Sequence, residues 1–148
     1  MAHEDLKYGW IAGGKISVPV PMAATQALYA QSGRFVYMNA GAATLNADGI
    51  GSIFGFLEAH QHTPDTGAYL NCIIDLTAIF RIPIISGTYV VGMIGDQCDI
   101  AIDTVQGAQL DASAENTLTV VGGDLVNNYY VDVMMTPTEW GTGIGVEA

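Results

Sequence analysis

Positive charge is what this chain has least of. Lys and Arg together number 4 against 15 Asp and Glu, giving a formal net charge of −11 at pH 7. Nucleic acid and anionic membranes demand a cationic face, so neither is expected as a partner. The bases Lys7, Lys15, Arg34 and Arg81 all precede position 82, and the last 67 residues, 82–148, carry nine acids and no base. An acidic surface keeps a chain with only 13% charged residues in solution. It could also meet a basic partner or a divalent cation.

Long apolar runs are missing too. The most apolar window, 79–94, is interrupted by Arg81, Pro83, Gly87 and Gly92, whereas a spanning helix needs ~20 largely apolar residues. The first ten residues, MAHEDLKYGW, lack the basic start and apolar stretch of a secretory signal. Synthesis in a cytoplasm is therefore expected. Cysteine is limited to Cys72 and Cys98, which form no C-x-x-C pair. In a reducing compartment they read as buried thiols; a disulfide between them is the alternative. No G-x-S-x-G elbow occurs, and none of the five serines sits in one.

What the chain does have is glycine, 18 of 148 residues, and 50% hydrophobic residues. That apolar content excludes a disordered chain, and a chain of this length buries roughly 68–70% of its unfolded surface. Short apolar runs punctuated by Gly, Asn, Asp and Pro are the pattern of an all-β protein. Strands are expected at 15–20, 34–38, 52–58, 69–74, 98–102, 117–121 and 128–134. Turn chemistry separates them at Asn39-Ala-Gly41, Ala47-Asp-Gly49, Pro64-Asp-Thr-Gly67 and Gly122-Gly-Asp124. Alternation places Val131 and Val133 on one face with Asp132 opposite, and Ile100 with Ile102. The last two runs are spaced for a hairpin through residues 122–127. Residues 22–30 read equally as a short helix or a strand.

The fold expected is a compact β-barrel or β-sandwich with an extended N-terminal arm and at most one short helix. Residues 1–14 form the arm and 15–148 a single β-rich domain, with 140–148 a loose tail. The arm holds Leu6, Tyr8, Trp10 and Ile11 without a clear period. It either orders on a partner or packs as an edge strand on its own domain.

Chemical motifs are few. Gly9-x4-Gly14-Lys15 approaches a phosphate loop, but Ile16 stands where Ser or Thr must hold magnesium, and Val18-Pro-Val-Pro21 forbids the helix that should follow. Gly49-x-Gly51-x-x-x-Gly55 misses the dinucleotide spacing by one residue. Glu58, His60 and His62 would share a strand face about 6.5–7 Å apart, a spacing at which two imidazoles can share a metal. No second ligand cluster accompanies them, so no metal or other cofactor is expected; the competing reading is a polar strand end. Asp96, Asp99 and Asp103 lack the glycine and glutamate of a calcium loop. No catalytic residues are assigned.

Several segments together resemble a known family. These are Gly33-Arg-Phe-Val-Tyr-Met-Asn-Ala-Gly41, Gly51-Ser-Ile-Phe-Gly-Phe-Leu-Glu-Ala59, Ala78-Ile-Phe-Arg-Ile-Pro83, Val91-Gly-Met-Ile-Gly-Asp-Gln-Cys-Asp-Ile100, and Leu118-Thr-Val-Val-Gly-Gly-Asp-Leu-Val-Asn-Asn128 leading into Val131-Asp-Val133. Their order through the chain resembles the small β-rich head decoration, or capsid cement, proteins of tailed bacteriophages. The resemblance implies a non-enzymatic virion protein on the outer surface of the expanded capsid. It would bind major capsid protein where subunits meet and resist the pressure of packaged DNA. Related proteins often form trimers at local threefold positions, so a homotrimer is the favoured assembly. Leu6, Tyr8, Trp10 and Ile11 are the candidate capsid contacts, because Tyr and Trp dominate interface energetics. Deleting residues 1–14 is expected to abolish capsid binding while leaving the fold intact. Two other classes stay open: a carbohydrate- or surface-binding module using Tyr129, Tyr130 and Trp140, and a metal-dependent enzyme using Glu58, His60 and His62.

Overall fold

A computed structural model describes residues 7–141. Leu6 and residues 142–148 of the expected tail lie outside the described residues. Among the described residues there is no α-helix, only single 3-10 turns at Val91–Met93 and Pro137–Glu139. The strands are β1 Gly9–Ala12, β2 Ser17–Pro21, β3 Phe35–Asn39, β4 Ala42–Leu45, β5 Gly55–Leu57, β6 Tyr69–Ile73, β7 Ile79–Ser86, β8 Gln97–Asp103, β9 Val105–Gln109, β10 Leu118–Gly123 and β11 Tyr130–Met135. The chain is all-β, as its turn-punctuated apolar runs require.

One sheet runs β1-β7-β11-β10-β8-β9. A parallel pairing of β7 with β9 closes five of these strands into a barrel. Closure depends on the length of β7. Its first half, Ile79 to Arg81, pairs with β1, and its second half, around Ile84 and Ser86, takes β9 along the same edge. Closing a sheet removes the open edges through which β-proteins aggregate. The second sheet runs β2-β6-β5-β3-β4, and a lone parallel bridge, Met22 to Ala43, draws its outer strands together.

The barrel core is aliphatic, with an aromatic trio at its junction with the second sheet. Phe80 of β7 stacks on Phe56 of β5 at 4.6 Å between ring centroids. Phe35 of β3 meets both edge-on, at 4.9 and 5.2 Å. A second core fills the other side of the second sheet: Val20, Met22, Leu28, Val36, Ala43, Leu57 and Cys72. Neighbouring residues therefore serve opposite cores. Phe35 faces the barrel and Val36 the second core; so do Phe56 and Leu57, and Ile73 and Cys72. A sheet buried on both faces loses the polar–apolar alternation of a half-exposed one.

A side chain stitches the two bodies. Gln106 of β9, 2% exposed, presents its amide to β3 as a strand would present backbone. Its Oε1 accepts from Phe35 N–H at 2.8 Å, and its Nε2 donates to the carbonyls of Phe35 at 2.9 Å and Asn46 at 2.8 Å. Gly33 makes this approach feasible: a Cβ there would stand 2.6 Å from Gln106 Oε1.

Several expectations are revised. The arm is in part an edge strand: β1 pairs with β7, Tyr8 is buried and Trp10 packs on the barrel core. Residues 22–30 are neither helix nor strand; Met22 and Leu28 make isolated bridges and their side chains enter the second core. The strand expected over 52–58 is only Gly55–Leu57. Val131 and Val133 are buried together, but Ile102 is 45% exposed, because β8 runs past the barrel core after Ala101. The expected buried thiols are found: Cys72 and Cys98 are free and lie in different cores. Burial pushes both up to about 12.

Candidate functional site

Three regions concentrate groups that could act on something outside the chain. The first is a cleft of about 430 Å³ between β1 and the end of β5, lined by Trp10, Lys15, Arg34, Phe56, Glu58 and His60 among others. β1 makes one wall. Its register shifts between Trp10 and Ala12, leaving Ile11 as a bulge residue, half-buried. Trp10 Nε1 donates to Gly14 O at 3.0 Å, fixing the indole. Lys15 Nζ lies 5.0 Å from the centre of that ring and 2.7 Å from Glu58 Oε2. Two of the capsid-contact candidates, Tyr8 and Trp10, thus line the same cleft as two metal candidates, Glu58 and His60. Lys15 and Arg34 complete it. Lys15 stands out in the sequence only through its near phosphate-loop spacing and Arg34 through no motif at all, because nothing local links positions 10, 15, 34 and 58.

The structure does not bring Glu58, His60 and His62 together as a set of three ligands. The strand expected to align them ends at Leu57. Glu58 is held by Lys15, and the two imidazoles stack with centroids 4.4 Å apart. His62 Nδ1 lies 2.8 Å from His60 O; a carbonyl only accepts, so that nitrogen carries the proton. Among the described residues, the three carboxylate or imidazole groups that bring ligand atoms within 4.8 Å of one another are Asp48, Asp99 and Glu115.

Asp99 in that second region has a structural task. Its carboxylate accepts three backbone N–H groups: Ala114 at 2.9 Å, Glu115 at 2.9 Å and Asn116 at 2.8 Å. It is 1% exposed and pins the loop after β9 against β8. Asp96 and Asp103, its partners in the loose calcium pattern, lie outside this cluster.

The third region is apolar and exposed. Val90 (50%), Val91 (58%) and Ile94 (53%) stand on the loop between β7 and β8; Leu125 (61%) and Val126 (88%) stand on the β10–β11 turn. The loops are tied together. Asn128 accepts from Tyr89 N–H at 2.8 Å and donates to Gly87 O at 3.0 Å. Tyr89 lies over Gly123, where a Cβ would come within 2.7 Å of its ring. Asp124 accepts N–H groups of Val126, Asn127 and Tyr129. The aliphatic side chains therefore sit on a braced platform. A signal for it was in the sequence: Leu125-Val126 is an aliphatic pair inside a turn, with no strand face to join.

The aromatic residues of the carbohydrate reading are engaged by the fold. Trp140 stacks on Phe54 at 5.6 Å, with its indole N–H donated to Phe54 O at 2.6 Å. Arg81 lies 3.9 Å over the Tyr130 ring and makes a bidentate pair with Asp132, at 2.8 and 3.0 Å. Compared with known proteins, the chain matches no family model, no curated protein and no solved structure.

Proposed function

We propose that this chain is a structural virion protein that docks on the outer surface of an expanded tailed-phage head. It sits at junctions between major capsid protein subunits and stiffens the shell against the DNA inside. The observation that carries the reading is the braced platform of Val90, Val91, Ile94, Leu125 and Val126, each at least half exposed. Exposed aliphatics gathered on two loops that are tied to each other mark an interaction surface. They displace the N-terminal aromatics as the leading contact residues, since Tyr8 is buried and Trp10 is held by the core.

Magnitudes shape the proposal. Fully covering a Val, Leu or Ile is worth about 1.5–3 kcal/mol, so these five, with the exposed area of roughly three whole side chains, offer about 5–9 kcal/mol. Association costs about 4–15 kcal/mol in lost freedom. One copy on one site is therefore weakly held. A homotrimer engaging neighbouring subunits gains avidity without stronger single contacts. Binding only the assembled lattice stabilises that lattice by mass action. A net charge of −11 suits the outside of a DNA-filled shell.

The test is co-sedimentation with expanded phage heads, comparing the wild type with the Leu125→Asp, Val126→Asp double variant. The wild type should pellet with heads and raise their melting temperature. The variant should stay in the supernatant with an unchanged circular-dichroism spectrum. A wild type that ignores heads, or a variant that binds them equally well, rejects the proposal.

A further inference from the structure

Arg34 is a buried cation, and among the described residues no anion stands beside it. The residue is 9% exposed. Its Nε donates to Leu57 O at 3.1 Å, and its Nη1 to Tyr29 O at 3.2 Å and Ser32 O at 3.4 Å. Its guanidinium carbon lies 5.1 Å from the centre of the Phe56 ring. Three carbonyls and an aromatic face fix the group but do not neutralise it. The ion pairs among the described residues are Lys15–Glu58 and Arg81–Asp132, so no carboxylate there pairs with Arg34. Burial holds its pKa below the usual value. Nη2 has no acceptor among the described residues and borders the cleft, within 3.3 Å of where a Gly9 Cβ would stand. Gly9, the first residue of β1, has φ +117, so glycine serves here both for that backbone angle and for the space it leaves.

A chain with 4 bases and 15 acids thus places two of those bases, Arg34 and Lys15, on one cleft. Glu58 offsets Lys15, leaving one net positive charge among these three groups. A largely buried charge is costly unless something pairs with it, and a guanidinium edge open to a cleft suits a carboxylate. Trp10 and Phe56 supply apolar walls beside it. We propose that the cleft between β1 and β5 binds a monocarboxylate with an apolar body, its carboxylate on Arg34 Nη2 and Lys15 and its body against Trp10. The same chemistry comes from a small free acid or from a carboxylate borne by a peptide. This site is separate from the apolar platform and does not depend on the capsid reading.

Two NMR signals report on it, the Arg34 Nε–H and the Trp10 indole N–H. The probes are benzoate, phosphate, and a short peptide ending in phenylalanine with either a free carboxylate or an amide. Saturable shifts of both signals with benzoate alone identify a small-acid site; shifts with benzoate and the free-acid peptide identify a peptide-binding one. Either result supports the proposal. Removing the competing charge with Glu58→Gln, at an exposed position, should tighten benzoate binding roughly three- to fivefold, as expected of a screened surface pair. Lys15→Met should weaken it by a similar factor. No saturable shift with either carboxylate overturns the proposal, as does an equal response to the peptide amide. Tighter binding of phosphate than of benzoate, or unchanged binding in Glu58→Gln, does the same. The Glu58 variant keeps the test decisive should an Arg34→Gln variant fail to fold.

Discussion

Replacing Gln106 with Leu removes the polar stitch between barrel and second sheet while roughly keeping the volume. Phe35 N–H and Asn46 C=O lose the amide partner that reaches each of them at 2.8 Å. Phe35 C=O keeps the Asn46 N–H at 2.9 Å and loses only its second bond. Each orphaned buried group costs about 1–3 kcal/mol, so two of them cost roughly 2–6 kcal/mol. For a chain of this size each kcal/mol lowers Tm by about 2–4 °C, so the expected fall spans roughly 4–24 °C. Gln109, on the same strand, is the internal control. Its Oε1 is buried without a partner, so Gln109→Leu abandons no bond at that oxygen and should stay within about 0.5 kcal/mol of wild type. Urea unfolding followed by circular dichroism measures both, with an unchanged m-value showing that stability alone has moved. Equal midpoints for Gln106→Leu and Gln109→Leu would refute the idea that the Gln106 amide joins the two bodies.

Two more outcomes follow from the titratable groups. Cys72 and Cys98 are pushed up to about 12 by burial, so a thiol reagent at pH 8 should label the native protein only as fast as it opens; prompt labelling of both would contradict their place in the cores. Asp75 is held below its ordinary value by the Thr77 hydroxyl and N–H. At Asp124 desolvation pushes upward, but the N–H groups of Asn127, Tyr129 and Val126 prevail and hold it down as well. A depressed carboxyl stabilises the fold above its unfolded pKa of about 3.9 and loses that contribution as pH falls through the lower folded value. The urea midpoint should therefore drop on the acid side of pH 4, less steeply in Asp124→Asn; an identical acid limb in that variant would exclude Asp124 from the effect.

The all-β class was legible because turn chemistry is local. Gly41, Gly49 and Gly67 carry positive φ within three of the expected turns. The β10–β11 hairpin was legible because Val131 and Val133 alternate with partly exposed residues on a sheet face that turns toward solvent. β3 and β5 showed no such alternation, since Phe35–Val36 and Phe56–Leu57 serve two cores at once. β4 reads Ala42-Ala-Thr-Leu45, too short and too small in side chains to announce itself. β7 was overlooked because Pro83 lies inside it; the strand tolerates a residue without an N–H where its partner changes along the chain. The candidate site was half legible. Trp10 and Glu58 drew notice for separate reasons, but the residue that gives their cleft its charge, Arg34, lay inside an expected strand and looked like any other outward base.

The cleft and the barrel follow from the same constraint. β9 covers only the second half of the β7 edge, around Ile84 and Ser86. Left alone, the first half would offer open backbone donors and acceptors beside Phe80, the kind of edge that recruits other chains. β1 covers it from Ile79 to Arg81. A strand laid there crosses in front of the end of β5, and its Gly9 comes close to the Arg34 guanidinium. Four residues of β1 can protect the edge, but they cannot also fill the space between that edge and the second sheet. What remains is a cleft walled by Trp10 and floored by Arg34, assembled from segments near positions 9–15, 34 and 56–60. No spacing rule joins such positions, so a site of this kind is found by asking which buried charge lacks a counter-charge rather than by matching a motif.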